Sequence, residues 1–205
     1  MGDAVMGQNA PATGDVLKRI SRRLGMKSVS QSFEIMKNLA ETRNDGKIID
    51  KFSGMRIFIV PPKFMSHIIY AFIELLGERL GTRIVYEAHI ETGKNMVRIG
   101  KRAFGLEGIE AFEFYFWLLS SCGWWKIIDF SFDTERLNGY VRMVPLYPAI
   151  LPQNAKRTIA FHQDAAGEIA GAAEESFNVP FIVKETRCTA SGDEFCEFVI
   201  RRKNE

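Results

Sequence analysis

Three side chains that can bind a metal ion lie close together near the end of the sequence, in the stretch KETRCTASGDEFCEF. Glu185 stands three positions before Cys188, and seven residues separate Cys188 from Cys196. Zinc takes sulfur, imidazole nitrogen and carboxylate oxygen as ligands, usually four in a tetrahedron. A hairpin around the Ser-Gly-Asp turn would bring the two sulfurs together, and His162, on the preceding predicted helix, is the candidate fourth ligand.

The same residues also have a simpler interpretation. Free cysteine is a common core residue, and the interval between Cys188 and Cys196 is not a standard zinc-finger spacing. In a regular strand, Glu185 and Cys188 would face opposite sides, so both can bind one ion only if Cys188 lies in the turn or at a bulge. A disulfide across the hairpin is a further alternative, although a reducing cell disfavours it. Spacing alone leaves these alternatives open.

The elements that must position these residues follow from the hydrophobic pattern. The predicted helices are 15–25, 30–46, 63–81, 82–105, 108–123 and 154–177. The predicted strands are 55–60, a pair within 125–148 joined by a turn at TERLNG, and a pair within 180–202. Short turns make each pair antiparallel, so we expect an α+β fold: an antiparallel four-stranded sheet packed against helices, with an N-terminal helical extension.

Composition narrows the class of protein. The chain has 205 residues with 46% apolar residues, 25% charged residues and a formal charge of +2, which is typical of a globular protein and makes nucleic acid an unlikely partner. Three cysteines argue against a disulfide framework and favour a reducing, cytoplasmic setting. We expect no membrane span and no signal peptide. The predicted organisation is a disordered tail at 1–14, a helical extension at 15–54 and a ligand-binding domain at 55–205.

The C-terminal motif E-x-x-C-x-x-x-G-D-x-x-C-x-F, from Glu185 to Phe198, resembles the end of the 4-vinyl reductase domain. That family is related to small subunits of the TRAPP vesicle-tethering complex and to haem nitric-oxide sensor domains. It includes sensor domains for aromatic compounds and many stand-alone archaeal proteins. RIFIVPPKFMSHIIYAFIELLGERLGTRIVYEAHIETGK, GWWKIIDFSFD and GEIAGAAEESF are similar to its opening, middle strands and small-residue helix, so the resemblance covers about 55–205.

The resemblance implies a zinc ion beside a ligand pocket. In the family's sensors a Glu and two Cys of this hairpin hold the ion with a Cys of the preceding helix, so Glu185, Cys188 and Cys196 match, while His162 stands where the sensors have cysteine. A closed shell of four ligands implies a structural role. The resemblance also implies an apolar cavity between helices and sheet. Its candidate wall residues, each of which is also a candidate for the ordinary core, are Tyr86, Phe112, Tyr115, Phe116, Trp117, Trp124, Trp125 and Phe161.

Three functions are compatible with these observations. The first is a sensor or regulatory module that binds a small apolar or aromatic molecule, forms a homodimer and signals through a protein partner. The second is an enzyme or substrate carrier of tetrapyrrole metabolism, although the sequence carries no nucleophile elbow, P-loop or dinucleotide fingerprint. The third is a tethering subunit, which a filled core without a pocket would favour. An open apolar cavity would favour the first.

Overall fold

The computed structural model describes residues 40–51, 56–57, 62–146 and 162–203. Its strands are β1 (Ala40–Thr42), β2 (Ile48–Asp50), β3 (Arg56–Ile57), β4 (Trp125–Asp133), β5 (Asn138–Pro145), β6 (Phe181–Arg187) and β7 (Cys196–Arg202). Its α-helices are α1 (Pro62–Leu76), α2 (Glu78–Phe104), α3 (Gly108–Ser121) and α4 (Gln163–Phe177), and Thr189–Ser191 forms a 3-10 turn. Among these residues, no helix is both long enough and apolar enough to cross a membrane.

The larger sheet has the strand order β4-β5-β7-β6, and every neighbouring pair is antiparallel. Side chains alternate between its two faces: Val141 and Met143 of β5 are fully buried, as are Phe198 and Ile200 of β7. Helices α3 and α4 pack on this buried face, and α2 lies against α4. The predicted α+β fold, with helices on one face of a four-stranded antiparallel sheet, is confirmed.

Aromatic side chains fill the core between α3, β4 and the end of α4. The ring of Phe112 lies 5.1 Å from that of Phe116 and 5.3 to 5.9 Å from those of Phe130, Phe132 and Phe177, in edge-on contacts. Edge-on contacts of this kind stabilise aromatic clusters beyond the burial of their area. The aromatic run of α3 therefore anchors this helix to the sheet.

Helices α2 and α4 approach each other unusually closely. A Cβ added to Gly171 would lie 1.9 Å from the carbonyl oxygen of Ile90, and one added to Gly167 would lie 2.1 Å from that of Tyr86. Only glycine permits this approach. The sequence left open whether these glycines face the sheet or a second copy of the chain, and the structure shows that they contact α2 of the same chain.

Two predicted boundaries need correction. Residues 40–42, expected at the end of a helix, form β1, because the turn after Arg43 reverses the chain and pairs Thr42 with Ile48. The predicted helix 63–81 ends at Leu76, because Gly77 has φ 76°, which a right-handed helix cannot contain; α2 then runs for 27 residues. The small sheet β1-β2-β3 joins residues on both sides of position 54.

Candidate metal centre

Four buried side chains converge where the β6–β7 hairpin meets the beginning of α4. They are His162, Glu185, Cys188 and Cys196, and one ligand atom from each lies within 4.8 Å of all the others. His162 and Cys196 are fully buried, and the other two are at most 4% exposed. The structure therefore brings together the four residues that the sequence predicts as metal ligands.

A β-bulge places Glu185 and Cys188 on the same side of the hairpin. The register shifts between Glu185 and Arg187, so the strand contains one extra residue there. Glu185 is buried, Thr186 and Arg187 are exposed, and Cys188 is buried again at the start of the 3-10 turn. This confirms the expectation that both residues can face one ion only with a bulge or a turn between them.

The turn after Cys188 supports both thiols through hydrogen bonds. The carboxylate of Asp193 accepts a bond of 2.8 Å from the backbone N–H of Cys188. The backbone N–H of Thr189 donates to Sγ of Cys196 over 3.3 Å, and the hydroxyl of Thr189 lies 3.4 Å from the same sulfur. Bonds donated to a ligand sulfur are typical of the groups that orient and tune metal ligands. The Thr-Ala-Ser-Gly-Asp segment is thus part of the site.

His162 lies immediately before α4 as its N-cap residue, not within the helix as predicted. Its backbone N–H donates to Oε2 of Glu185 over 2.9 Å, and its Nδ1 lies 3.1 Å from Oε1. Nδ1 is also 3.4 Å from Sγ of Cys188 and 3.4 Å from Sγ of Cys196. One imidazole nitrogen therefore faces all three hairpin donors at similar distances.

These separations fit a tetrahedral metal ion. With Zn–N near 2.05 Å and Zn–S near 2.3 Å, tetrahedral geometry requires N···S of about 3.5 Å and N···O of about 3.3 Å. The observed values are 3.4 Å from Nδ1 to each sulfur and 3.1 Å from Nδ1 to Oε1. The donor set of one nitrogen, one carboxylate oxygen and two sulfurs is one that zinc favours. The group can hold such an ion with little movement.

The electrostatics of the group also favour a cation. Burial raises the pKa of Glu185 to about 7, and the contact with Cys188, together with burial, raises the pKa of Cys196. Burial by itself lowers the pKa of His162, but hydrogen bonds to Cys188 and Glu185 outweigh it and raise the pKa to about 10. Three donors thus retain protons near neutral pH without an ion. A divalent cation would take the place of these protons, because ligands bind metals in their deprotonated forms.

An apolar cleft adjoins the group. It has a volume of about 360 Å³ and is lined by Phe116, Trp117, Ser120, Trp125, Lys126, Ile127 and Leu146. The ring of Trp125 also meets that of His162 edge-on, with 5.1 Å between centroids and 76° between planes. A second connection runs across the sheet, where Ile127 pairs with Met143 and Met143 pairs with Cys196. Cleft and candidate metal centre therefore share a wall.

The predicted wall residues lie in different places. Phe116, Trp117 and Trp125 line the cleft. Tyr115 is fully buried and its hydroxyl lies 3.4 Å from Glu168, and the hydroxyl of Tyr86 accepts a bond from the backbone N–H of Val183. Phe112 is in the aromatic core, Trp124 is half-buried outside the cleft lining, and Phe161 lies outside the described residues.

The sequence reasoning missed four lining residues, Ser120, Lys126, Ile127 and Leu146. The alternation of β4, which places Trp125 and Ile127 on one face, could have indicated Ile127. Cys122, expected to be buried, is exposed, because it caps the C-terminal end of α3 at the turn into β4.

Comparisons with known proteins agree with this architecture. The family model for the vinyl-4-reductase domain matches residues 161–202, and no curated protein matches the sequence. The crystal structure of the phenol-responsive sensory domain of the transcription activator PoxR with phenol aligns with a TM-score of 0.66 at 9% identity, over 95% of this chain and 92% of that chain. At this identity the alignment shows a common fold.

Two further solved structures align with lower scores. A vinyl-4-reductase family protein from Methanocaldococcus jannaschii has a TM-score of 0.47 and 19% identity, over 99% of this chain and 100% of that chain. A trafficking protein particle complex subunit 3 from Naegleria fowleri, covalently bound to palmitic acid, has a TM-score of 0.42 and 16% identity, over 69% of this chain and 97% of that chain. The segment 161–202, which contains all four converging donors, matches the vinyl-4-reductase domain and confirms the resemblance that the sequence indicates.

Proposed function

We propose that this chain is a sensor or regulatory domain that binds a small apolar molecule in the cleft beside a structural zinc site. The observation that carries the proposal is that Trp125 belongs to both places: it lines the cleft and contacts His162. Apolar walls with a few polar groups are typical of small-molecule sites, and a volume of about 360 Å³ lies within their range. The common fold with a phenol-responsive sensory domain supports this interpretation.

In this proposal zinc supplies a fixed cross-link and no catalysis. His162, Glu185, Cys188 and Cys196 would complete its four-ligand shell, which leaves no open position for substrate. The ion would tie the β6–β7 hairpin to the N-terminal end of α4. Thiol ligands require a reducing setting, so we place the protein in the cytoplasm. A signal would then pass to a protein partner through a change in shape of this domain.

A titration of tryptophan fluorescence tests ligand binding. The chain has three tryptophans, of which Trp117 and Trp125 line the cleft while Trp124 does not. In the variant Trp124→Phe the remaining emission therefore reports on the cleft alone. We expect phenol, toluene or naphthalene to change it saturably, and Trp117→Ala to weaken binding. A linear, non-saturating response to all three compounds in the zinc-loaded protein would contradict the proposal.

We also propose that two copies of the chain associate. Apolar side chains are exposed at the corner between α1 and α2, where Leu75 is 82% exposed and Leu80 is 50% exposed, next to Phe72 and Leu76. Exposed apolar patches of this kind often mark protein interfaces. Light scattering during size-exclusion chromatography should give the mass of a dimer, and Leu75→Glu should give that of a monomer. A monomeric wild-type protein would contradict this part of the proposal.

A further inference from the structure

The cleft is not uniformly apolar. Five of its lining residues are aromatic or aliphatic, and the two polar ones, Ser120 and Lys126, are both exposed. No carboxylate is among the described residues that line it. The polar part of the cleft can therefore donate hydrogen bonds from an ammonium and a hydroxyl group, and it carries a positive charge.

Lys126 has no acidic partner among the described residues. Other cations near the sheet and helices are paired: Arg142 with Asp129 and Glu197, and Lys94 with Glu174. The cross-strand neighbour of Lys126 is Val144, which is apolar. A long lysine stem can lie along an apolar rim while its ammonium stays in water. The charge at the cleft is thus available to a molecule that enters it.

We infer that the cleft selects amphipathic anions, that is, aromatic or aliphatic acids whose apolar body lies against Trp117 and Trp125 and whose carboxylate meets Lys126 and Ser120. This inference rests on the proposed function, because it names the class of ligand for the same site. An anion gains an attraction that a neutral molecule of the same shape lacks, and a cation is repelled. Since Lys126 is exposed, water and salt moderate the preference, and we expect the acid to bind about threefold to tenfold more tightly than the neutral analogue.

Three ligands with one apolar body isolate the effect of charge: 4-phenylbutanoate, 4-phenylbutanol and 4-phenylbutylamine, each titrated by calorimetry into the full zinc-loaded chain. The expected order of affinity is acid, alcohol, amine. In Lys126→Met the acid should lose its advantage over the alcohol. Lys184→Met, which removes an exposed lysine from β6 outside the cleft, should keep it. The advantage should also shrink between 50 and 500 mM salt, a range over which the Debye length falls from roughly 14 Å to 4 Å.

The outcomes separate the two proposals. Equal affinity for acid and alcohol, or an acid preference that survives in Lys126→Met, would overturn the inference and leave the sensor proposal standing, because an apolar ligand still binds. Failure of all three compounds to bind the wild-type chain would overturn both. Tight binding of the acid with loss of its advantage only in Lys126→Met would support both.

Discussion

Replacing Cys196 by serine should remove one donor from the candidate metal centre with little other change. The residue is fully buried, its sulfur lies 3.4 Å from Nδ1 of His162, and it accepts the backbone N–H of Thr189. A serine hydroxyl keeps the hydrogen-bonding capacity of the position but is a much poorer zinc ligand than a thiolate. Cys122→Ser is the matched control, because Cys122 is exposed and outside the group.

The size of the effect follows from the number of donors. Structural zinc sites bind with about 10–16 kcal/mol, so one donor of four contributes about 3 kcal/mol, or about 100-fold in affinity. At a zinc concentration of about 100 times the wild-type Kd, the ion stabilises the fold by about 2.7 kcal/mol, and the weakened variant gains only about 0.4 kcal/mol. For a chain of this size the difference corresponds to about 5–9 °C in Tm.

The assay is thermal unfolding of each protein with zinc and with a chelator, because the difference between the two midpoints cancels any intrinsic effect of the substitution. Native mass spectrometry measures zinc stoichiometry in the same samples. Wild type and Cys122→Ser should bind one zinc and show the full shift, and Cys196→Ser should show most of it lost. Equal shifts in all three proteins, or wild-type protein with neither zinc nor a shift, would refute the reasoning.

The remaining predictions concern the surroundings of the site. Burial raises the pKa of Glu168 to about 8, so its folded form holds a proton that the unfolded chain releases near pH 4.5, and stability should fall as pH rises between these values. Glu168→Gln should therefore gain up to about 2 kcal/mol over wild type between pH 6 and pH 8 in urea unfolding, whereas the exposed control Glu87→Gln should not. Gly171→Ala forces a Cβ to within 1.9 Å of the carbonyl oxygen of Ile90 and should cost about 2–3 kcal/mol in the same assay; a loss below about 0.5 kcal/mol would contradict the close packing of α2 on α4. His162→Cys should keep zinc bound in native mass spectrometry while His162→Ala loses it, and retention in both would exclude a ligand role.

Local patterns predicted most of this fold because they depend on neighbouring residues. The periodicity of α2 and α3 and the turns of both hairpins are visible in the sequence. The break at Gly77 was not predicted, because the pattern of apolar residues continues through it and only its positive φ interrupts the helix. The strand at Ala40–Thr42 was missed for a related reason: a helical stripe reaches Ala40, but pairing with β2 decides the structure.

The candidate metal centre was predictable in composition but not in geometry. The types and spacing of Glu185, Cys188 and Cys196 indicated the donors, and the need for a bulge followed from strand alternation. The position of His162, before α4 and not within it, depends on where the helix begins. The cleft was less accessible to sequence reasoning, because Leu146 and Ser120 reach it from different elements and only the tertiary structure brings them together.

The shared wall gives the proposed sensor a physical means of coupling its two sites. Movement of Trp125 by a ligand changes its edge contact with His162, and movement of Ile127 is transmitted through Met143 to Cys196 along one face of the sheet. Any such coupling is reciprocal, so an ion that stiffens the hairpin must change ligand affinity by the same factor by which the ligand changes metal affinity. Packed interiors transmit small displacements because they contain few voids. A structural ion next to a pocket can therefore contribute to signalling without taking part in any reaction.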